Sequence, residues 1–278
     1  MTKGFSYILE HVDQILYLEY IKEKMLEREP PKPTVPELEA KQAPPDFTVN
    51  PLRSLKRISE MDPSHYAVAY VRSRKIPDSY HGKLFFAENF NAWVNTLKPG
   101  KMSEKFTEPR LVIPFVDQDG TIIGFQGRDF KLEKTPSRYM TVMLDHEAPH
   151  VYGLDAFDKA RHGYALEGPI DSMFVQNSLA SFGGVIERDM KQLALDPRNV
   201  TIVYDNEKRS HETVKKMRNA LLHDFPLFIW PTSIEDKDVN AYVLSSGWTQ
   251  RRLMEMIDNH TYSGEAGLLI LNDWKRTE

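Results

Sequence analysis

The sequence YALEGPIDSMF at residues 164–174 places two carboxylates at the exit of an apolar run. The run stops at Glu167, a Gly-Pro turn follows, and Asp171 opens a segment with helical spacing. A buried acid is unfavourable unless it is paired or holds a metal, so acids at this position need a partner. The stretch therefore predicts a buried strand and a helix, with two carboxylates at the turn between them.

The chain after residue 163 repeats this order of strand and helix. Strands are predicted for YALEG, ASFGG, NVTIVYD and PLFIWP, and helices for DSMFVQNSL, ERDMKQLAL and SHETVKKMRNALLHD. Alternating strands and helices indicate a parallel sheet with helices on its faces, which is an α/β fold. The nearly continuous apolar strands are typical of a sheet that is covered on both sides.

Residues 50–155 predict an α+β arrangement with antiparallel strands. DPSHYAVAYVRSRKIP predicts a helix that is capped by Asp62 and closed by Pro77. PRLVIPFVDQDGTIIGFQGRDF predicts two strands joined by a turn at Asp119 and Gly120, and SRYMTVML predicts another strand.

The N-terminal region has a different character. Apolar residues recur there at helical spacing, which predicts an amphipathic helix, and a proline-rich stretch then predicts an extended linker. The expected organisation is an N-terminal helix, this linker, an α+β basic subdomain, a metal-binding parallel-sheet subdomain and a helical tail. Their predicted boundaries are 1–28, 29–49, 50–160, 161–248 and 249–278.

Composition excludes several classes of protein. The 278-residue chain has 41% hydrophobic residues, enough for a core, and a net charge of -4, which gives no overall basic field. It has no cysteine, and none of its nine histidines falls in an H-x-x-x-H or H-E-x-x-H pattern, so no zinc site is expected. The N-terminus lacks the apolar core of a signal peptide, and no apolar run reaches the ~20 residues of a membrane span. A cytoplasmic protein without membrane contact is therefore expected.

Several acids follow separate predicted strands. Because the carboxyl ends of parallel strands meet at one edge of a sheet, these side chains are expected to lie close together. Hard cations such as Mg²⁺ prefer oxygen ligands of this kind and leave coordination positions for phosphates. The alternative for any single acid is a helix cap, most clearly for Asp171. The predicted metal-binding set is Glu167, Asp171, Asp205, Glu207 and Asp238.

The motifs resemble those of a known family. LEGPIDSMF and VYDNE resemble the two acidic motifs of the TOPRIM domain, with Glu207 where the family commonly has Asp. From residue 50 to the end, the order and spacing of EPRLVIPFVDQDGTIIGFQGRDF, SRYMTV, VYGLDAF and KDVNAYV resemble the DNA primases of T-even-like bacteriophages. The fold that this resemblance implies is an α+β primase subdomain followed by a TOPRIM parallel-sheet subdomain.

The resemblance implies an activity and a set of roles. The activity is the synthesis of short RNA primers on single-stranded DNA from ribonucleoside triphosphates, with Mg²⁺ or Mn²⁺, during phage replication. Glu167, Asp205 and Glu207 are expected to be catalytic. The residues expected to contact nucleotide or template are Arg128, Arg138, Tyr139, Arg110 and Lys237. The alternatives are a surface ion pair for Arg128 or Lys237, and a place in the core for Tyr139.

The resemblance also implies partners and one departure. The expected partners are the template, the triphosphates and a hexameric replicative helicase, in the cytoplasm of the phage's bacterial host. The family carries an N-terminal zinc-binding module with four metal ligands, and a chain without cysteine cannot build its usual form. The chain is therefore expected to be a fragment of a longer polymerase, an engineered truncation, or half of a split primase whose zinc-binding module is a separate partner.

Two other functions remain open from the sequence. A TOPRIM nuclease or topoisomerase-like enzyme would use the same acids to cleave DNA. A non-catalytic helicase accessory would keep the fold without the reaction. Metal-dependent nicking of plasmid DNA distinguishes the first alternative, and helicase stimulation that survives loss of Asp205 distinguishes the second.

Overall fold

The first half of the described chain is built on an antiparallel sheet. The computed structural model describes residues 50–105, 107–131, 138–182 and 186–275. In these ranges β1 (Lys56–Arg57), β2 (Phe85–Ala87), β3 (Arg110–Val116), β4 (Ile122–Asp129) and β5 (Tyr139–Met143) pair in chain order. The predicted helix 1–28 and the linker 29–49 lie outside the described residues.

Helices cover both faces of this first sheet. The helices are α1 (Tyr66–Ser73), α2 (Asp78–His81) and α3 (Phe90–Leu97). On one face Leu111, Ile113 and Phe115 join the main core, to which α1 also contributes. On the other face Val112 and Phe125 join a smaller core with α3. The alternation of side chains along each strand therefore separates two hydrophobic cores.

The second sheet carries the predicted parallel strands. Its strands are β6 (Val151–Tyr152), β7 (Gly163–Leu166), β8 (Ser178–Ser181), β9 (Val200–Val203), β10 (Leu227–Phe228) and β11 (Thr261–Tyr262). Their spatial order in the described residues is β11-β10-β9-β7-β8-β6, with β7 to β10 parallel and the two edge strands antiparallel. The predicted α/β class, with an antiparallel part before a parallel sheet, is confirmed.

Helices accompany this sheet, and the last two of them lie in the segment 249–278 that was predicted as a helical tail. They are α4 (Pro169–Ser172), α5 (Ile186–Gln192), α6 (His211–Leu222), α7 (Val239–Ser245), α8 (Gln250–Asn259) and α9 (Gly264–Trp274). The contacts group Phe47–Glu278 into one compact unit. Hydrogen bonds join β6, before residue 161, and β11, after residue 248, to the second sheet. The predicted subdomain boundaries stay predictions. No helix in the described ranges has both the length and the apolar character needed to span a membrane.

Two predicted helices have different limits. The helix expected from Asp62 begins only at Tyr66, where the ring of His65 accepts from the Ala67 N–H. Asp62 instead accepts hydrogen bonds from the N–H and hydroxyl of Ser64, so it stabilises a turn that precedes the helix. The prediction that Asp62 caps the helix is therefore wrong.

The helix predicted for DSMFVQNSL is also too long. It ends as α4 at Ser172, and Ser178 already belongs to β8. Between them Asn177 takes a left-handed conformation with φ 44°, which asparagine tolerates better than most residues. Its side-chain amide donates to the carbonyls of Asp158 and His162, so the chain turns directly into the next strand.

Gly127 is required by the packing of the first sheet. A Cβ at Gly127 would lie 2.5 Å from the ring of Phe90. We expect Gly127→Ala to lower the free energy of unfolding by about 1–3 kcal/mol, because overpacking forces the core to shift. Chemical denaturation measures this value. Gly247→Ala is the matched control, since a Cβ there meets no atom within 4 Å. Equal stability of the two variants would contradict the packing.

Candidate active site

Glu167 and Asp205 leave the second sheet at neighbouring points. β7 and β9 pair in parallel with Leu166 opposite Val203, and these are the last residues of the two strands. β7 has β8 on its other side, so the connections run in opposite directions from this strand. Ligand sites of open α/β sheets form at such a reversal. The N–H of Asp205 donates to Oε2 of Glu167 over 3.3 Å, which holds the two residues together.

Two lysines form ion pairs with the acids at this edge of the sheet. Lys216 Nζ lies 3.4 Å from Oε1 of Glu167. Lys237 Nζ lies 3.4 Å from Oδ2 of Asp205 and 3.2 Å from Oε1 of Glu207. The predicted role of Lys237 as a phosphate contact is untested, but its ammonium lies at the site and not on a remote surface.

Lys216 is absent from the site residues that the sequence predicts. It stands four residues after Glu212 on α6 and also pairs with that acid at 3.3 Å, which is typical of a solvated helix face. The position of α6 could have indicated Lys216, because this helix begins a few residues after Asp205. Side chains of its first turns can therefore reach the same edge of the sheet.

Asp171 and Asp238 both bind the start of α7. Asp171 Oδ1 accepts from the N–H of Asn240 at 2.8 Å, and Asp238 Oδ1 accepts from the N–H of Ala241 at 2.7 Å. The capping alternative is therefore correct for Asp238, whereas Asp171 ties α4 to another helix. Gly168 permits this approach, since a Cβ there would lie 2.6 Å from Oδ2 of Asp171.

Burial and mutual repulsion perturb the acids. Burial raises the pKa of Asp205 to about 7, and the charge of Glu167 adds to the effect. Burial also raises the pKa of Asp171 well above its usual range, with the charges of Asp238 and Asp205 adding to it. Repulsion between the carboxylates therefore adds to the effect of burial, and the charge of Lys237 opposes it at Asp205. A bound cation would relieve this repulsion.

The acids provide the oxygen donors that a hard divalent cation prefers. Within the described ranges, however, no three or more acid or histidine side chains are already arranged around one metal position. Lys216 and Lys237 hold the carboxylates instead. The donor chemistry fits a divalent cation, provided that the carboxylates turn from the lysines toward it.

The first sheet forms the opposite wall of the cleft. The cleft has a volume of about 500 Å³ and brings together most of the predicted site residues. Arg128 and Tyr139 are directly opposite each other on β4 and β5. The guanidinium of Arg128 lies 4.3 Å from the ring centre of Tyr139, and its Nε donates to the hydroxyl of Tyr70 at 3.1 Å. The predicted residues that line the cleft are Glu167, Asp171, Asp205, Asp238, Arg128, Arg138, Tyr139 and Lys237.

Arg138 and Tyr139 have features of ligand-binding residues. The Nε atom of Arg138 is buried and has no hydrogen-bond partner in the part of the chain that the structure describes. Tyr139 is 48% exposed, which excludes the core position considered from the sequence. The cleft therefore presents a guanidinium and an aromatic ring opposite the carboxylates.

Arg110 lies away from the cleft. Its side chain is fully buried over the ring of Phe90, on the face of the first sheet that carries the smaller core. Its guanidinium pairs with Glu108 at 2.7 Å and donates to the carbonyl of Gly127 at 3.2 Å. These contacts favour a structural role over the predicted contact with nucleotide.

Glu207 also lies outside the lining of the cleft. It borders a separate surface depression with Lys208 and Ser210. Its Oε2 accepts from the hydroxyl of Thr213 at 3.1 Å. Through Lys237 it remains connected to Asp205, so it stands next to the cleft.

Arg74 and Asn240 line the cleft without having been predicted. Arg74 donates to Oδ1 of Asn240 at 3.0 Å, and Nδ2 of Asn240 donates to the carbonyl of Arg74 at 2.8 Å. These bonds join the end of α1 to the start of α7. No local pattern reveals them, because the two residues are distant in sequence.

Comparison with known proteins gives a family. The chain is 32% identical over 257 residues to the DNA primase of Enterobacteria phage T4. The aligned residues cover 92% of this chain and 74% of that protein. No family model matches the chain.

Solved structures share the fold at low identity. A structure of the Aquifex aeolicus primase with its zinc-binding and RNA polymerase domains has a TM-score of 0.55 at 18% identity, over 93% of this chain and 70% of that one. A DnaG primase catalytic domain bound to single-stranded DNA has a TM-score of 0.58 at 17% identity, over 78% of each chain. The E. coli primase catalytic core has a TM-score of 0.56 at 17% identity, over 77% of this chain and 78% of that one.

The phage relative and the geometry of the cleft agree. Acids at the carboxyl edge of a parallel sheet face arginines on an antiparallel sheet, in a fold shared with primase catalytic cores. By its identity to the phage T4 protein over most of both sequences, this chain belongs to the DNA primase family.

Proposed function

We propose that this chain joins ribonucleoside triphosphates into short RNA primers on a single-stranded DNA template. The observation that carries the proposal is the composition of the cleft, with carboxylates on one wall and arginines on the other. Acids suit the cations that accompany a triphosphate, and arginines suit its phosphates. A cleft with both is suited to nucleotidyl transfer.

The reaction assigns the acids distinct tasks. The 3′ oxygen of the growing primer attacks the α-phosphorus, a P–O bond forms, and the bond to the β-phosphate breaks to release pyrophosphate. Glu167 lies at the strand exit and is the proposed acceptor of the hydroxyl proton. Asp205 is the proposed main ligand of the cation, assisted by Glu207 from outside the cleft. Asp171 and Asp238 keep the start of α7 in place beside it.

The proposed cofactor is Mg²⁺, with Mn²⁺ as a substitute. When bound, such an ion stabilises negative charge on the attacking and leaving oxygens. Asp205 would hold it, assisted by Glu167 and Glu207, and Lys237 would then be free to contact phosphate. The lysines thus balance the acids before the cation and the nucleotide arrive.

Arg128 is proposed to position the triphosphate, and its replacement tests this role. We expect Arg128→Lys to raise the KM for nucleotides about tenfold, because lysine keeps the charge but loses the planar fork that binds phosphate and stacks on Tyr139. Steady-state incorporation at varied nucleotide concentration measures the change. Arg251→Lys is the control, since Arg251 is exposed on α8 and pairs only loosely with Glu255 at 3.8 Å. A wild-type KM in a folded Arg128→Lys protein would exclude the role.

The proposed setting includes other macromolecules. We infer a hexameric replicative helicase as partner and the cytoplasm of a bacterial host as location, on the basis of the similarity to a phage primase. A zinc-binding module supplied by another polypeptide is the remaining proposed partner.

Incorporation of labelled ribonucleotides on single-stranded DNA tests the activity. The assay contains Mg²⁺ and is run with and without the helicase and a zinc-binding module from a related primase. Short RNA products that require template establish primer synthesis. If RNA is absent in every arm while plasmid DNA is nicked, the chain is a nuclease. If neither occurs and helicase stimulation survives Asp205→Asn, the chain is an accessory protein.

A further inference from the structure

An aromatic cluster lies on the first sheet beyond the cleft. The ring centre of Tyr66 is 5.7 Å from that of Phe86 and 5.4 Å from that of Phe130, and both contacts are edge-to-face. The ring of His65 stacks on Tyr66 at 4.6 Å. Tyr66 is nevertheless 49% exposed, so its neighbours fix a large part of the ring in contact with solvent.

Strand register places this cluster and the cleft on one face of the sheet. Phe86 is opposite Leu111, Leu111 is opposite Arg128, and Arg128 is opposite Tyr139. Directly opposite residues of antiparallel strands project to the same face. Lys56 is opposite Phe86 and extends the row to the edge strand. The row therefore runs from the cleft at Tyr139 to the exposed edge at Lys56, with Leu111 fully buried in its middle.

Contacts connect the two ends of this surface. The guanidinium of Arg128 lies over Tyr139 and its Nε bonds the hydroxyl of Tyr70. The ring centre of Tyr70 is 5.2 Å from that of Phe130, which in turn contacts Tyr66. Side-chain contacts, partly through the buried Tyr70, therefore join the cleft to the exposed ring.

The charge around the cluster suits a polyanion. Lys56 is exposed opposite Phe86 in register, and Lys131 is exposed next to Phe130 in sequence. Glu88 acts in the opposite direction, since its charge together with burial raises the pKa of Tyr66. The two exposed lysines beside the rings suit the phosphates of a negatively charged chain.

We propose that the exposed ring of Tyr66, held by Phe86 and Phe130, stacks on an unpaired base of the single-stranded DNA template, another part of which lies in the cleft. Aromatic rings flanked by cations bind single strands because every base has a π face. The inference rests on the proposed function and extends the nucleic-acid path from the cleft along the first sheet. It assigns Tyr66 as a binding residue that does not take part in the reaction.

Binding of labelled oligothymidylate to the full chain tests this surface. Two lengths are used, about 16 and about 4 nucleotides, which span the range of single-strand sites. Tyr66→Ala is expected to weaken binding of the longer strand about tenfold, the effect of losing one stacked base. Binding of the shorter strand, which fills only the cleft, is expected to be unchanged. Fluorescence anisotropy measures both.

Matched variants identify the ring as the source of the effect. Tyr66→Phe keeps the ring and is expected to bind like wild type, and Leu269→Ala removes an even more exposed apolar side chain from α9 without effect. The proposal is overturned if Tyr66→Ala binds the longer strand normally, if both lengths weaken equally, or if Tyr66→Phe loses as much as Tyr66→Ala. Loss of helicase binding with normal DNA binding would assign the surface to a protein and also overturn it.

The test separates this inference from the proposed function. If wild type makes no RNA but Tyr66→Ala still weakens binding of the longer strand, the polymerase function fails and the surface stands. If RNA synthesis is established and Tyr66→Ala binds normally, the function stands and the surface fails.

Discussion

Glu167→Gln is expected to lower primer synthesis by about 100-fold or more while the protein remains folded. Glutamine preserves the size of the side chain and its hydrogen bond to the N–H of Asp205, but it cannot accept the hydroxyl proton. Loss of a positioned general base typically has an effect of this size. Incorporation of labelled ribonucleotides on a single-stranded template measures the rate.

A neighbouring acid provides the control for this substitution. Glu212 pairs with the same ammonium group, Lys216 Nζ, at 3.3 Å, but it lies on the exposed side of α6. Glu212→Gln therefore changes the charge near Lys216 without removing the proposed base, and near wild-type activity is expected. If Glu167→Gln and Glu212→Gln have the same activity, Glu167 is not the base.

Asp205→Asn is expected to abolish most primer synthesis and to make the metal-free protein more stable at pH 8. The pKa of Asp205 is raised to about 7, chiefly by burial, so folding favours the protonated acid. Stability from this group is complete below pH ~4 and is lost as the pH rises through about 7. Asparagine avoids that loss, and a gain of about 2 kcal/mol at pH 8 is expected.

Thermal unfolding with and without Mg²⁺ measures both effects. Wild type is expected to lose stability between pH ~4 and ~8 without metal and to regain it when Mg²⁺ binds. Asp205→Asn should show a flatter pH dependence and little response to Mg²⁺. Glu235→Gln, on the exposed surface nearby, should behave like wild type. An Asp205→Asn protein that is less stable at pH 8, or that keeps the full Mg²⁺ response, would contradict the assigned role.

The sequence predicted the strands and turns that are marked by a local pattern of residues. The strands on either side of Gly120 follow from two apolar runs joined by Asp119-Gly120, and this glycine has φ 88° in the structure. Glu167 and Asp205 could be placed together because parallel strands share one carboxyl edge. The division into an antiparallel part and a parallel sheet also follows from the order of the elements.

Other features depend on contacts between distant parts of the chain. The start of α1 depends on His65, a residue type that rarely signals a cap, so Asp62 was the stronger local prediction. Arg110 resembles a phosphate ligand in sequence. In the structure its guanidinium instead pairs with Glu108 and donates to the carbonyl of Gly127. The roles of Lys216 and Asn240 require knowledge of which helix meets which strand end. Contacts between residues that are distant in sequence decide the roles of these residues, and local sequence patterns do not reveal such contacts.

Locating the cation and the nucleotide tests the central claim most directly. Crystals of the protein would be soaked with Mn²⁺ and a ribonucleoside triphosphate analogue that cannot react, and the metal would be found by its anomalous scattering. The account predicts Mn²⁺ between Glu167 and Asp205, with the triphosphate directed toward Arg128 and Arg138 across the cleft. Mn²⁺ or triphosphate bound elsewhere, with this cleft empty, would contradict the assignment of the cleft as the site of primer synthesis.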